Sequence, residues 1–323
     1  MKKIAIVASL LALGAGIAVA QGSDPLPYWA FPVMAPTNMP PAPLDDTVKH
    51  KVPGSKASFT EKGTNDRFDI PDWHPSGHPA MPSIIEHGKA PDVMACGYCH
   101  LPNGKGRPEN APLAGQPADY IVEQIKEMKE GRRKSSGKMG SVAAMVKIAN
   151  AVSDADAKTA AAYFAKTKYS KWIRVVEADM APKTEISSHN MIIPAAGGGM
   201  EKLDGRILEM PENLERTELR DGNSGFVAYV PKGSIARGKK LVATGGGGDA
   251  APCASCHGAK LKGDGNVPAL AGRSPSYIVR QLYDFKAGTR GGPAADPMKP
   301  EVAHMTADQR RDIAAYLASL NPA

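Results

Sequence analysis

The sequence predicts an all-α fold built from two tandem helical domains, and two observations carry that prediction. The stretches CGYCH (96–100) and CASCH (253–257) hold all four cysteines of the 323-residue chain and lie 157 residues apart. At the same shift, LAGQPADYIVEQIKEMKEGRR (113–133) aligns with LAGRSPSYIVRQLYDFKAGTR (270–290), with ten identical positions. Because a motif and its flank repeat together, the sequence indicates a duplicated domain.

The N-terminus predicts a cleaved secretory signal peptide over residues 1–20. Two lysines precede an apolar run, and Ala18 and Ala20 form an A-x-A cleavage site. The alternative is an uncleaved membrane anchor, but the run is near the lower length limit for spanning a bilayer. The mature protein is therefore expected in the periplasm.

The net charge argues against a nucleic-acid partner. The full chain carries a formal charge of +7, and loss of Lys2 and Lys3 leaves 38 basic against 33 acidic residues. An excess this small creates no strong basic surface.

Each repeat predicts a long helix followed, further along the chain, by a terminal helix. The long helix begins near Tyr120 in the first repeat and near Tyr277 in the second, and in both it shows apolar residues at helical spacing. The terminal helices are predicted at 153–167 and 306–320, and Thr306 is the expected N-cap of the latter. Met305 then becomes the hydrophobic residue that precedes the cap.

The cysteines are best explained as two haem attachment sites. Two disulfides, a zinc site or a redox disulfide would each leave the histidine after each motif without a role. Cys-x-x-Cys-His is the attachment signal of c-type haem, in which both thiols form thioethers and the histidine binds iron. We therefore predict two covalently bound haem c groups, and the predicted attachment residues are Cys96, Cys99, Cys253 and Cys256. The predicted proximal iron ligands are His100 and His257.

A methionine is the expected sixth ligand of each iron. In the second repeat, Met298 lies in the loop GGPAADPMKPEV and is preferred over Met305. The terminal helices align at a shift of 153, which places Met145 on Met298. Met145 is therefore predicted in the first repeat, and Met139 is the main alternative. A histidine in place of either methionine would lower the potential, and the candidates are His50, His74, His78, His87, His189 and His304.

These features resemble class I cytochrome c, and the duplication resembles the dihaem cytochromes of the cytochrome c4 type. The resemblance covers about residues 80–168 and 234–321, and it runs from the haem motif to the final helix with AAYLA. It implies two all-α domains, here 81–168 and 234–323, with one haem each and electron exchange through the domain interface. It also implies that His100 and Met145 ligate the first iron and that His257 and Met298 ligate the second.

Two segments depart from this resemblance. A Pro-rich extension (21–80) precedes the first domain and is expected to be extended, with Trp29 and Phe31 as anchors. An inter-domain segment (169–233) contains two apolar runs separated by turn residues, which predict a short β-hairpin.

The expected function is single-electron transfer between a dehydrogenase or quinol-oxidising complex and a terminal oxidase or reductase. The partners would be redox proteins; the oligomeric state and a place beside a membrane complex are left open. The alternative is a dihaem redox enzyme, similar to a peroxidase or a thiosulfate dehydrogenase, with one substrate-accessible haem. An enzyme is not expected, because each iron has a methionine candidate and no further acid–base group is evident.

Overall fold

The computed structural model describes residues 24–33, 43–187, 191–246 and 250–322. The predicted signal peptide and His189 lie outside the described residues. Across the described part of the chain, no helix combines the length and apolar character needed to span a bilayer.

Helices make up most of both repeats. In chain order they are α1 (Glu61–Thr64), α2 (Ser83–Glu86), α3 (Cys96–His100), α4 (Ala118–Lys129), α5 (Gly140–Ala151), α6 (Asp154–Lys166), α7 (Leu214–Glu218), α8 (Ser234–Thr244), α9 (Ala254–His257), α10 (Pro275–Lys286), α11 (Met298–Ala303) and α12 (Ala307–Ser319). The predicted Thr306 cap of α12 is confirmed: its hydroxyl accepts from Gln309 N, and the Gln309 side chain accepts from Thr306 N. Met305, just before it, is buried as expected.

Strands lie outside the two repeats, so the all-α prediction is too narrow. They are β1 (Lys49–His50), β2 (Phe59–Thr60), β3 (Ile173–Glu177), β4 (Met180–Pro182), β5 (Thr184–Ile186), β6 (Ile192–Pro194), β7 (Met200–Lys202), β8 (Leu208–Pro211) and β9 (Phe226–Val230). The two apolar runs pair as the antiparallel strands β8 and β9, but α7 lies in the connection between them, so they do not form the short hairpin that was predicted. The prediction missed β3, which pairs in parallel with the other edge of β9. The two strands of a parallel pair can be far apart in sequence, so no turn residues near β3 indicate which strand it pairs with.

The inter-domain segment is part of the core rather than a linker. Trp172, Ile173 and Phe226 belong to one apolar cluster with residues of the second repeat. Glu209 of β8 is buried and accepts hydrogen bonds from the Ser274 and Ser276 hydroxyls and from Ser276 N, at the start of α10. Burial raises the pKa of this carboxyl, although these hydrogen bonds oppose the shift.

The two repeats differ at their first helix. In the second repeat, α8 crosses α12 so closely that a Cβ on Gly238 would lie 2.0 Å from the Asp312 carbonyl oxygen. In the first repeat, only the single turn α2 precedes the haem motif, and Ile84 and Ile85 bury it against α4 and α6 residues. The first repeat therefore has no long helix equivalent to α8 before its haem motif.

The N-terminal extension is anchored to the body of the protein. Phe31 is 1% exposed and makes an edge-on contact with Tyr283 at 5.8 Å between ring centroids, which confirms its predicted anchoring role. Farther along, Trp73 is 2% exposed and its Nε1 donates to the Leu219 carbonyl oxygen at 2.7 Å. This bond joins the extension to the inter-domain segment.

Candidate functional site

Each Cys-x-x-Cys-His motif forms one helical turn. Cys96 and Cys99 lie three residues apart on α3, a spacing that places two side chains on one helix face. Burial raises the pKa of the Cys96 thiol to about 12, so this thiol is neutral near pH 7. In the described residues, no group of three or more histidine, cysteine, aspartate or glutamate side chains could hold a metal ion. Cys96, Cys99 and His100 lie together on one helical turn.

The two motif histidines are oriented by the same hydrogen bond. His100 Nδ1–H donates to the Ala111 carbonyl at 2.9 Å, and His257 Nδ1–H donates to the Pro268 carbonyl at 2.8 Å. Both acceptors lie 11 residues after their histidine, and each bond leaves Nε2 available. Burial lowers the pKa of His100 to about 4 and also lowers the pKa of His257. A neutral imidazole with one bonded nitrogen is the form that binds iron, so both residues fit haem.

The candidate methionines occupy two kinds of position. Met139 is 2% exposed and belongs to the core cluster that includes Phe31, whereas Met145 is half-buried in the middle of α5. In the second repeat, Met305 is 6% exposed in that same cluster, and Met298 is half-buried at the start of α11. The prediction that Met298 lies in a loop is wrong, because Met298 begins the helix Met298–Ala303; Met145 lies within the helix Gly140–Ala151.

Other histidines have partners of their own. His74 Nε2 lies 2.8 Å from the Asp221 carboxylate, and His78 Nε2 lies 3.1 Å from the Asp72 carboxylate. His304 caps the C-terminal end of α11. The carboxylate contacts give His74 and His78 structural roles.

A reciprocal hydrogen-bond network joins the two repeats. Arg133 donates to the Tyr277 hydroxyl and the Gln281 amide oxygen, and Arg290 donates to the Tyr120 hydroxyl and the Gln124 amide oxygen. These residues are related by the shift of 157, so each contact has a counterpart in the other direction. The backbones of Arg133 and Arg290 also form an antiparallel bridge. The repeats therefore meet about an approximate two-fold axis.

A second pair of contacts reinforces this interface. Gln116 exchanges two hydrogen bonds with the Ala269 backbone, and its repeat partner Arg273 donates to the carbonyls of Pro112 and Ala114. The Arg273 guanidinium also lies 3.7 Å from the centre of the Tyr169 ring. These buried polar contacts hold the repeats in one relative orientation.

The two motifs differ in exposure. The Arg220 guanidinium lies 3.7 Å from the centre of the Tyr98 ring, and its Nη1 donates to the Tyr98 carbonyl at 2.9 Å. The repeat equivalents of Tyr98 and Cys99 are Ser255 and Cys256, and both are exposed. The inter-domain segment therefore covers the first motif and leaves the second open.

Sequence reasoning missed Arg220, and no local pattern could have found it. Its contact with Tyr98 spans 122 residues, and it lies in a segment without a counterpart in the repeat. The interface residues, in contrast to Arg220, left a signal in the sequence. Tyr120, Gln124 and Arg133 are identical in both copies, and they lie on a predicted helix and the turn after it. Repeated polar residues on a predicted helix were a usable signal for an interface between the copies.

Comparisons with known proteins find similarity to c-type cytochromes. The family model described as cytochrome c matches residues 235–321. Cytochrome c4 of Azotobacter vinelandii is 27% identical over 220 residues, covering 66% of this chain and 76% of that protein. The thiosulfate dehydrogenase electron acceptor of Thiomonas intermedia (strain K12) is 26% identical over 234 residues, covering 71% of this chain and 80% of that protein.

A shorter relative establishes the family. Cytochrome c-554(547) of Halothiobacillus neapolitanus is 36% identical over 78 residues, which cover 22% of this chain and 86% of that protein. Together with two haem motifs of matching geometry, this similarity confirms the prediction of covalently bound haem. The chain belongs to the cytochrome c family, as a dihaem class I cytochrome that is similar to cytochrome c4 and carries two covalently bound haem c groups.

Proposed function

We propose that the protein is a periplasmic electron carrier that relays single electrons between a dehydrogenase or quinol-oxidising complex and a terminal oxidase or reductase. The observation that carries the proposal is the reciprocal interface around Arg133 and Arg290. An interface of this kind keeps two redox sites at one separation, as an intramolecular relay requires.

The proposed roles of the site residues follow from their positions. Cys96, Cys99, Cys253 and Cys256 would anchor the haems, with His100 and Met145 as axial ligands of one iron and His257 and Met298 of the other. Bound haem c supplies reversible one-electron chemistry. The chain's contribution is to orient each histidine through Nδ1 and to favour its neutral form by burial.

The second repeat is the proposed docking site for redox partners. Cys256 and Ser255 are exposed there, and the nearby Lys260 is exposed as well, whereas Arg220 covers the equivalent edge of the first motif. The basic run around residues 126–134 is a weaker candidate: Arg133 is buried at the interface and Arg132 is bound to Glu127. One relative is described as an electron acceptor of thiosulfate dehydrogenase, which supports a dehydrogenase as donor.

Docking at the second repeat predicts a local effect of charge. We expect Lys260→Glu to slow electron transfer with an acidic partner by about tenfold at low salt, because steering by surface charge acts on association. The measurement is stopped-flow reduction at several ionic strengths. Lys129→Glu, an exposed change at the end of α4, is the control and should have little effect. Equal slowing by both variants would contradict docking at the second repeat.

The carrier proposal is tested against the enzyme alternative by ligand binding. If a methionine occupies the sixth position of each iron, the reduced holoprotein should bind carbon monoxide slowly or not at all. The oxidised protein should likewise be inert to peroxide, and thiosulfate should not reduce it at a catalytic rate. A fast reaction with any of these would favour a redox enzyme with one open haem.

A further inference from the structure

A polar cleft of about 70 Å³ lies beside the first haem motif, where three parts of the chain meet. Asp72, His74 and His78 come from the N-terminal extension, and Arg220 and Asn223 come from the inter-domain segment. The first repeat contributes Asn103, Lys105 and Lys168, and the inter-domain segment also contributes Ser170. The volume is several times the roughly 10–15 Å³ that one water molecule needs, so a small ion fits there.

The lining of the cleft has an excess of positive charge. Lys105, Lys168 and Arg220 line it, and Lys105 is only 8% exposed. The two nearby carboxylates are already engaged: Asp72 by His78, and Asp221 by His74 and Arg216. Burying an ammonium group without a bonded anion costs several kcal/mol. Among the residues that line the cleft, the three cations outnumber the one carboxylate, Asp72.

The donors available in the cleft match an oxyanion. Arg220 is 3% exposed, and its Nε has no hydrogen-bond partner in the described part of the chain. Arginine and lysine are the side chains that most often bind sulfate-like and phosphate-like groups. A nucleotide or an organic polyanion would not fit in about 70 Å³. We propose that this cleft binds one small tetrahedral oxyanion, of the sulfate or phosphate type, through Lys105, Lys168 and Arg220.

Such a site would connect anion binding to the first haem. Arg220 lines the cleft and also stacks on Tyr98, the residue between the two attachment cysteines. An anion at this position stabilises the oxidised iron more than the reduced iron. By reciprocity, a tenfold tighter affinity for the oxidised protein corresponds to a potential lower by about 59 mV.

The repeat supplies a matched control for the cleft. The shift of 157 relates Lys105 to Lys262, which is exposed in the second repeat. Lys105→Met and Lys262→Met therefore make the same chemical change at equivalent positions. Only the first variant removes a cation from the cleft.

The experiment is isothermal titration calorimetry on the holoprotein at constant ionic strength, with inorganic phosphate, sulfate and thiosulfate as separate probes. We expect binding of one anion per chain, at least tenfold weaker in Lys105→Met and unchanged in Lys262→Met. The order of the three affinities identifies the preferred anion. In a separate spectroelectrochemical experiment, adding the preferred anion should lower the potential of one haem only.

The proposal is overturned if none of the three anions binds saturably, or if Lys105→Met and Lys262→Met bind equally well. Should Lys105→Met fail to fold, Lys168→Gln changes an exposed cleft residue and must weaken binding by at least threefold. None of these results depends on electron transfer to a partner, so the carrier function is tested separately.

Discussion

Met145→Ala is expected to alter one haem and leave the other intact. Loss of a thioether ligand removes the interaction that raises the potential of a histidine–methionine haem. The potential of one haem should fall by a substantial part of the roughly 0.8 V range that axial ligands span. Spectroelectrochemical titration measures this, and the weak red charge-transfer band of sulfur-ligated ferric haem should fall to about half.

Met139→Ala is the matched variant, and it should reduce the stability of the protein without changing either haem. Met139 is 2% exposed in the core cluster with Phe31, so truncation leaves a cavity that costs about 2–5 kcal/mol of the free energy of unfolding. Both haem potentials should stay nearly unchanged. If Met139→Ala removes the sulfur signal and Met145→Ala does not, the assignment of the first axial ligand is wrong. Met298→Ala and Met305→Ala repeat the comparison in the second repeat.

Local and repeated signals predicted the parts of the molecule that local interactions determine. The haem turns, the helices beginning near Tyr120 and Tyr277 and the Thr306 cap are all encoded by residues within a few positions of one another. The histidine–carbonyl bonds span only 11 residues and recur in both copies. Because the sequence is duplicated, each of these interactions can be recognised in two copies.

The parts that were not predicted depend on contacts that the sequence does not repeat. The parallel strand β3 reaches its partner β9 across about 50 residues, and β-branched side chains alone do not specify which strand they pair with. The cover over the first motif arises from Trp73, Leu219 and Arg220, which lie on two separate insertions. Trp73 and Leu219 lie 146 positions apart, so neither insertion by itself indicates this contact.

This cover leads to the second large prediction. Trp73→Ala should reduce the free energy of unfolding by about 3–5 kcal/mol, because a buried indole is lost from its contact with Phe59, at 4.7 Å between ring centroids. It also removes the hydrogen bond that holds Leu219, the residue before Arg220. We expect the Arg220 guanidinium to leave Tyr98, so the first haem should react faster with small reductants. Its potential should fall, because a cation and a water-excluding cover are both lost.

Trp172→Ala separates general destabilisation from opening of the first motif. Trp172 is also buried, donates to the Tyr169 hydroxyl and packs on Phe226, so its removal carries a similar cost. Denaturant unfolding should show comparable losses for the two tryptophan variants, whereas only Trp73→Ala should change the first haem. If both variants change it equally, the effect comes from lower stability and not from the cover.

Arg220→Gly tests the mechanism directly. Arg220 has a φ of 59°, in the left-handed region that glycine adopts without strain, so this change removes the guanidinium and relieves the backbone. It should lower the potential of the first haem without the stability loss of Trp73→Ala. If Trp73 acts by holding Arg220 in place, the double variant should shift the potential little further than Arg220→Gly alone. Additive shifts would mean that the two residues influence the first haem independently.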